Sequence, residues 1–317
     1  MRYALMTEPQ QGLSYDEILA LARTAEEAGI EDFFRSDHYS SFPGEAGLPT
    51  TDAWATLAGL ARETRRIGLG VLVSPVTFRL PGNLAKLIQT VDEMADGRVE
   101  AGFGAGWNEP EHTQLGIPFP PLGTRYDMLE EQLAIIHGLW TEPDGWAYEG
   151  RHWQVNGTRR HGQIGRAGRR HPHIILGGKG GPRLASMVAR YADEFNLNSA
   201  APEDASAAYG RVRAACTDVG RDPDEIVYSA MTGVLVAETE GDLRSRVADL
   251  LRTMGQADGD GEAWLEERRG RWVMGTPDEA RQRVEALTRQ GTQRVMLQDF
   301  LPRDLDHVRL MGAVFGG

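Results

Sequence analysis

Residues 3–36 read YALMTEPQQGLSYDEILALARTAEEAGIEDFFRS. A short apolar run, Tyr3 to Met6, is followed by a helix-like stretch, Ser14 to Ala28, and then by a second apolar run, Asp32 to Ser36. Asp16 and Glu17 lie in the first turn of the helical stretch and Gly29 stands just past its end, in agreement with dipole and C-cap chemistry. Strand, amphipathic helix and strand in that succession are the footprint of a parallel βαβ unit.

The pattern repeats along the chain. Further strand-like runs cover Ile67–Val73, Val99–Phe103, His173–Leu176, Glu194–Asn196, Tyr228–Val236 and Arg294–Leu297, making eight in all, each followed by a helix-like run. One of these helices, Pro277 to Gln290, has Thr276 as its N-cap and Gly291 beyond its end. Eight alternating units predict an α/β fold, a (β/α)8 TIM barrel, as a single domain over residues 1–317. Two excursions interrupt it. Trp146 to Asn156 alternates like a hairpin and opens an insertion over 146–170, and a charged, glycine-bearing insertion occupies 256–272; neither is expected to have its own core.

Hydrophobic residues make up 41% and charged residues 25% of the 317, so a folded core is expected. The N-terminal residues develop no long apolar run, which predicts neither a signal peptide nor a membrane span and gives the cytoplasm as the expected compartment. A lone Cys216 excludes an internal disulfide framework. The net charge of −12 argues against a nucleic-acid partner. One segment runs against that balance: from Gly150 to Ala192 there is no acid, but there are nine cations, Arg151, Arg159, Arg160, Arg166, Arg169, Arg170, Lys179, Arg183 and Arg190.

In such barrels chemistry gathers after the carboxyl ends of the strands. Gly177-Gly178-Lys179-Gly180-Gly181-Pro182 follows the fifth run. Glycines let backbone N–H groups approach an anion, a helix start points its positive end the same way, and Lys179 adds a full charge, so phosphate is the natural ligand. A tight strand-to-helix turn uses a Gly-Gly pair too, and a Rossmann loop is a third reading, with Asp193 and Glu194 as the ribose acid but without the G-x-G-x-x-G spacing. After the second run, Asp37 and His38 are either acid–base groups or ordinary loop residues. In Gly104-Ala105-Gly106-Trp107-Asn108, Trp107 either stacks on a ring or packs in the core, and Asn108 either bonds a ligand edge or caps the helix that follows. His171 and His173, with His161, have no carboxylate or cysteine in their segment, so no metal site is expected. Phe42, Trp107, His112 and Arg271 are candidates for a substrate pocket.

Taken together, SDHY at 36–39, VLVSPVTFR at 71–79, PGNLAKLIQTVDEMADGR at 81–98, GAGWNEPEH at 104–112 and ILGGKGG at 175–181 resemble the bacterial luciferase-like oxidoreductases, and more closely the branch that uses the deazaflavin coenzyme F420. The resemblance implies a hydride-transferring oxidoreductase acting on a small organic substrate and assembled as a homodimer. It implies a cofactor ring at the barrel mouth, near Asp37, His38, Gly70, Val71, Ser74, Gly106, Trp107 and Asn108, with a non-prolyl cis peptide near Gly70-Val71. The phosphate falls to Gly177, Gly178, Lys179, Gly180 and Gly181, and His38 becomes the catalytic acid–base group. The alternatives are an FMN-dependent monooxygenase fed with reduced flavin by a separate reductase, and a non-catalytic cofactor-binding barrel. Sugar-phosphate dehydrogenases of this branch carry a glutamate where Trp107 stands, which argues against a sugar-phosphate substrate. The basic segment favours the deazaflavin, whose phosphodiester and glutamyl tail are more anionic than FMN.

Overall fold

The computed structural model describes residues 1–157, 171–198 and 201–316. Its strands are β1 (Arg2–Thr7), β2 (Asp32–Arg35), β3 (Gly68–Pro75), β4 (Val99–Gly104), β5 (Tyr148–Glu149), β6 (Gln154–Val155), β7 (His173–Gly178), β8 (Glu194–Leu197), β9 (Val227–Val236), β10 (Val273–Gly275) and β11 (Arg294–Asp299). Eight of them close a parallel barrel in the order β1-β2-β3-β4-β7-β8-β9-β11, with β11 returning to β1. Every βα crossover predicted from the sequence is a neighbouring pair of this barrel. The short β10 adds to the edge of β9 (Val273 opposite Val234), and β5 and β6 form the antiparallel hairpin expected near residue 150.

Local chemistry sets the helices. Ser14 and Glu17 form a reciprocal capping box on the helix Tyr15–Glu27, and Thr276 and Glu279 form another on Pro277–Arg289. Gly29 and Gly291 follow at φ 81° and 99°, left-handed values that glycine adopts without a Cβ penalty. The main core lies between the strands and the helix ring and includes Trp54, Phe33, Phe103, Ile136 and Phe195. A smaller cluster, Ala4, Met6, Phe34, Leu72, Ile175, Met231 and Met296, fills the barrel interior.

The excursion at 256–272 carries a helix, Gly261–Arg269, whose Trp264 and Leu265 are buried with Leu243, Val247, Leu251 and Met274 in a third apolar cluster shared with the neighbouring elements. One expectation needs correction. The non-prolyl cis peptide is Leu72–Val73, two residues beyond the expected place, inside a register shift between Val71 and Ser74 where β3 pairs with β4. Phe42–Pro43 is also cis. No described helix is long and apolar enough to cross a membrane.

Candidate functional site

A cavity of about 620 Å³ opens at the carboxyl ends of the strands. Seven of the eight barrel strands contribute, Met6 from β1, Leu72, Val73 and Pro75 from β3, Gly104 from β4, Gly177 and Gly178 from β7, Asn196 from β8, Met231 from β9 and Gln298 from β11, and the eighth, β2, is represented by Ser36 and His38 just past its end. The β3 bulge shapes its floor. Alternation sends Val71 outward into the main core and Leu72 inward, and the irregularity then turns Val73 to the mouth as well. Room for Val73 comes from glycines: a Cβ on Gly104 would stand 2.5 Å from Val73 Cγ2, and one on Gly177 would stand 2.9 Å from Val73 Cγ1. The result is an apolar seat bordered by bare backbone.

The candidate residues divide on this frame. His38, Phe42, Gly106, Trp107, Gly177, Gly178 and Lys179 line the cavity. Gly180 is buried behind the loop, where a Cβ would meet the Phe195 ring at 2.9 Å, and Gly181 is the N-cap of the helix Pro182–Tyr191. Gly70 faces the ring of Phe34, which a Cβ would strike at 2.1 Å. Ser74 is fully buried and accepts from the Trp54 indole N–H at 2.8 Å, so its hydroxyl holds a helix to β3. Asn108 borders a smaller hollow of about 250 Å³ beside Tyr39 and Ser40. His112, expected to reach the pocket, is fully buried instead. Its Nε2 is 2.6 Å from Thr77 Oγ1, its Nδ1 is 2.7 Å from the Asn108 carbonyl, and Phe78 and Phe119 pack against its ring. Arg271 lines two side hollows, one sharing Gln298 and Phe300 with the main cavity and the other sharing Lys179 and Asn198.

Asp37 does not line the cavity. It is buried and paired with Arg79, whose guanidinium also reaches Asp52 and the Tyr39 hydroxyl. Burial pushes the Asp37 carboxyl up, with Arg79 working against it, while the Asp37 and Asp52 carboxylates hold the Arg79 guanidinium firmly protonated despite its burial. This network anchors the loop that carries His38. The imidazole itself touches Phe42 edge to face at 4.6 Å and Trp107 at 5.7 Å, and its Nδ1 is 3.0 Å from Glu111 Oε1. Trp107 is 66% exposed, so it forms the rim rather than the core.

Several polar groups of the site were not singled out from the sequence. Glu8 sits in the cavity wall, accepting from Gln10 Nε2 at 2.7 Å and from Gln298 Nε2 at 2.6 Å, while Ser36 donates to Gln10 Oε1 at 2.7 Å. Asn196 donates to Ser229, and its Oδ1 has no hydrogen-bond partner among the described residues, leaving a buried acceptor on a residue that lines the cavity. A position just after a strand was the available signal for Glu8; nothing local marks Asn196.

Of the nine cations in the basic segment, Arg159, Arg160, Arg166, Arg169 and Arg170 lie outside the described residues, as does His161. Arg183 is engaged by Asp127 and Arg190 by Glu130 on the preceding helix, so among the described members only Lys179 lines the cavity. His173 does acquire carboxylates: Glu100 and Glu194 come within metal-ligand reach of it, at the opposite end of the barrel. Arg294 already lies among them, 2.6 Å from Glu100 and 3.2 Å from Glu194, and provides their cation.

The family model described as luciferase-like monooxygenase matches residues 1–294. An F420-dependent glucose-6-phosphate dehydrogenase of Nakamurella multipartita is 30% identical over 185 residues, covering 58% of this chain and 52% of that protein. The chain spans about half the length of the curated relatives it matches. Among solved structures, a monooxygenase from Streptomyces bottropensis superposes with a TM-score of 0.81 at 24% identity, covering 99% of this chain and 98% of that one. An F420-dependent secondary alcohol dehydrogenase, bound to an F420–acetone adduct, gives 0.80 at 18% identity, again over 99% and 98%. Those two likenesses bear on the fold alone, whereas the family model covers most of the sequence: the chain belongs to the luciferase-like monooxygenase family.

Proposed function

We propose that this protein is a coenzyme F420-dependent oxidoreductase that moves a hydride between the deazaflavin and a small organic substrate. The observation that carries the reading is the composition of one cavity: an apolar seat at Leu72 and Val73, His38 on its wall, and Gly177-Gly178-Lys179 at its border. The residues present fit such a group. A flat ring needs an apolar bed and bare backbone beside it, and the glycines at 104 and 177 supply the latter. The orphaned Asn196 Oδ1 offers an acceptor. Phosphate has Lys179 and the start of the helix Pro182–Tyr191, whose first turn has no acid and whose first amides lack intrahelical acceptors.

When bound, the deazaflavin supplies a carbon that accepts or gives up hydride and does not readily activate oxygen. The protein's own task is the proton. His38 lines the cavity together with Glu111, and the imidazole nitrogen that does not face Glu111 can take a hydroxyl proton as an alcohol becomes a carbonyl, or return it in the reverse direction. Trp107 at the rim packs against His38 and limits water there. The preference for F420 over FMN rests on the curated relatives near 30% identity, which are named as F420-dependent. A homodimer is part of the same proposal, to be read from light scattering.

Titration of the purified protein with oxidised F420 and with FMN tests the assignment. Micromolar binding of F420 with weaker FMN binding is expected. Tight binding of FMN alone overturns it and points to the flavin-fed monooxygenase, for which oxygen uptake with reduced FMN is the next measurement.

A further inference from the structure

We infer that Glu111 is a positioning residue that fixes the tautomer of His38, so that the imidazole presents an unprotonated Nε2 to the cavity. The inference rests on the acid–base reading of His38 and names what makes that residue a base rather than a donor.

Glu111 lies on the short helix Glu109–Leu115 after β4, and its side chain is 1% exposed. Its two oxygens are used separately. Oε1 is 3.0 Å from His38 Nδ1, and Oε2 accepts the Tyr39 backbone N–H at 2.9 Å. One carboxylate therefore grips both the imidazole and the loop that carries it. An ionised carboxylate has acceptors only, so the nitrogen facing it must bear a proton; in neutral imidazole the other nitrogen is then bare. Nε2 has no hydrogen-bond partner among the described residues, and His38 borders the cavity. The ring plane is held as well, by Phe42 on one contact and Trp107 on another. The other acids near the site are already engaged: Asp37, next in the chain, belongs to Arg79, and Glu8 across the wall is held by Gln10 and Gln298, while the cation of the cavity, Lys179, stands on the loop after β7. Glu111 is the carboxylate within hydrogen-bond reach of the His38 ring among the described residues.

Glu111→Gln tests this with almost no change in shape. The Tyr39 N–H still requires an acceptor, which turns the new amide oxygen toward it and leaves the amide NH2 facing His38 Nδ1. That arrangement forces the opposite tautomer, with the proton on Nε2. The readout is nitrogen-detected imidazole NMR of the cofactor-free protein, with His38→Gln used to assign the resonance. Expected are the Nδ1–H form in the native protein and the Nε2–H form in Glu111→Gln. Turnover should drop on the order of 10- to 100-fold with KM and cofactor affinity little changed. Inversion of the tautomer supports the proposal whatever His38→Gln does to turnover, which tests the acid–base reading separately. An unchanged tautomer in Glu111→Gln overturns it. Should that variant fold poorly, the native protein decides: Nε2–H there overturns the proposal, and Nδ1–H supports it.

Discussion

His38 stands where two separate pieces of chain meet: its own loop after β2, which also brings Phe42 ahead of the cis Phe42–Pro43 bond, and the segment after β4 that carries the rim tryptophan. Its place was legible in so far as a residue following a barrel strand lies at the mouth end, although its neighbour Asp37 turns away to Arg79. Glu111 was not, since the two are 73 residues apart in sequence and meet only once β2 and β4 are set in the same barrel. Replacing His38 by Gln should lower turnover ~10²–10⁴-fold while the cofactor titration stays as in the native protein; unchanged turnover removes the imidazole from the proton path. Gly177 gives a second residue-scale prediction. Its Cβ would press on Val73 Cγ1 at 2.9 Å, so Gly177→Ala should push that side chain into the seat and weaken cofactor binding at least 10-fold. A dissociation constant equal to that of the native protein would show that Val73 yields without disturbing the ligand.

At the scale of elements, the strands were readable because each barrel strand is buried on both faces and so appears as a dense apolar run between helical stretches. What the sequence left obscure is how β3 departs from alternation. The bulge between Val71 and Ser74 decides which of those residues meet a ligand, and a string of apolar letters carries no sign of it. Ser74 therefore reads as a ligand contact in sequence, whereas in space it accepts the indole N–H of Trp54 from the helix Ala53–Glu63. Ser74→Ala should accordingly cost about 1–3 kcal/mol of stability, the penalty of a buried donor left without an acceptor, and barely alter cofactor affinity. Urea unfolding beside a cofactor titration separates the two effects, and the reverse pattern would put Ser74 in the ligand site. Helix ends were more legible than strand irregularities. The Ser14 and Glu17 box is local, with partners three residues apart, so composition and spacing alone announce it.

The molecule as a whole separates its two ends. Opposite the cavity, Arg2, Asp32, Glu100, His173, Glu194 and Arg294 all stand at the first or second residue of a barrel strand and converge into one charge cluster, buried except at Arg2 on its outer edge. Single strands gave no hint of it, because each of the six that take part contributes one charged letter and the cluster exists only after closure. Within it burial lowers the His173 imidazole's affinity for a proton, but the charge of Glu100 and the hydrogen bond to Glu194 outweigh that, so the group is held above its ordinary range. Asp32 is pushed up to about 6 by burial and by Glu100, against the pull of Arg294 and Arg2. Both shifts act in the same sense. A raised proton affinity in the folded state contributes stability that is complete below the unfolded value, about 3.9 for Asp and 6.5 for His, and is lost as pH rises through the folded value. The Asp32 share should therefore be lost between about pH 4 and pH 6 and the His173 share above about pH 6.5, so the melting temperature should decline across both windows, and His173→Gln should flatten the upper one. Arg294→Met extends the argument, since it leaves buried carboxylates without their central cation and should cost about 3–5 kcal/mol near pH 8. At pH 5 the loss should be smaller, because protons can then replace the guanidinium as the neutralising charge. Urea unfolding of both variants at the two pH values measures this directly; equal losses at pH 5 and pH 8 for Arg294→Met would mean that the arginine acts through packing rather than charge.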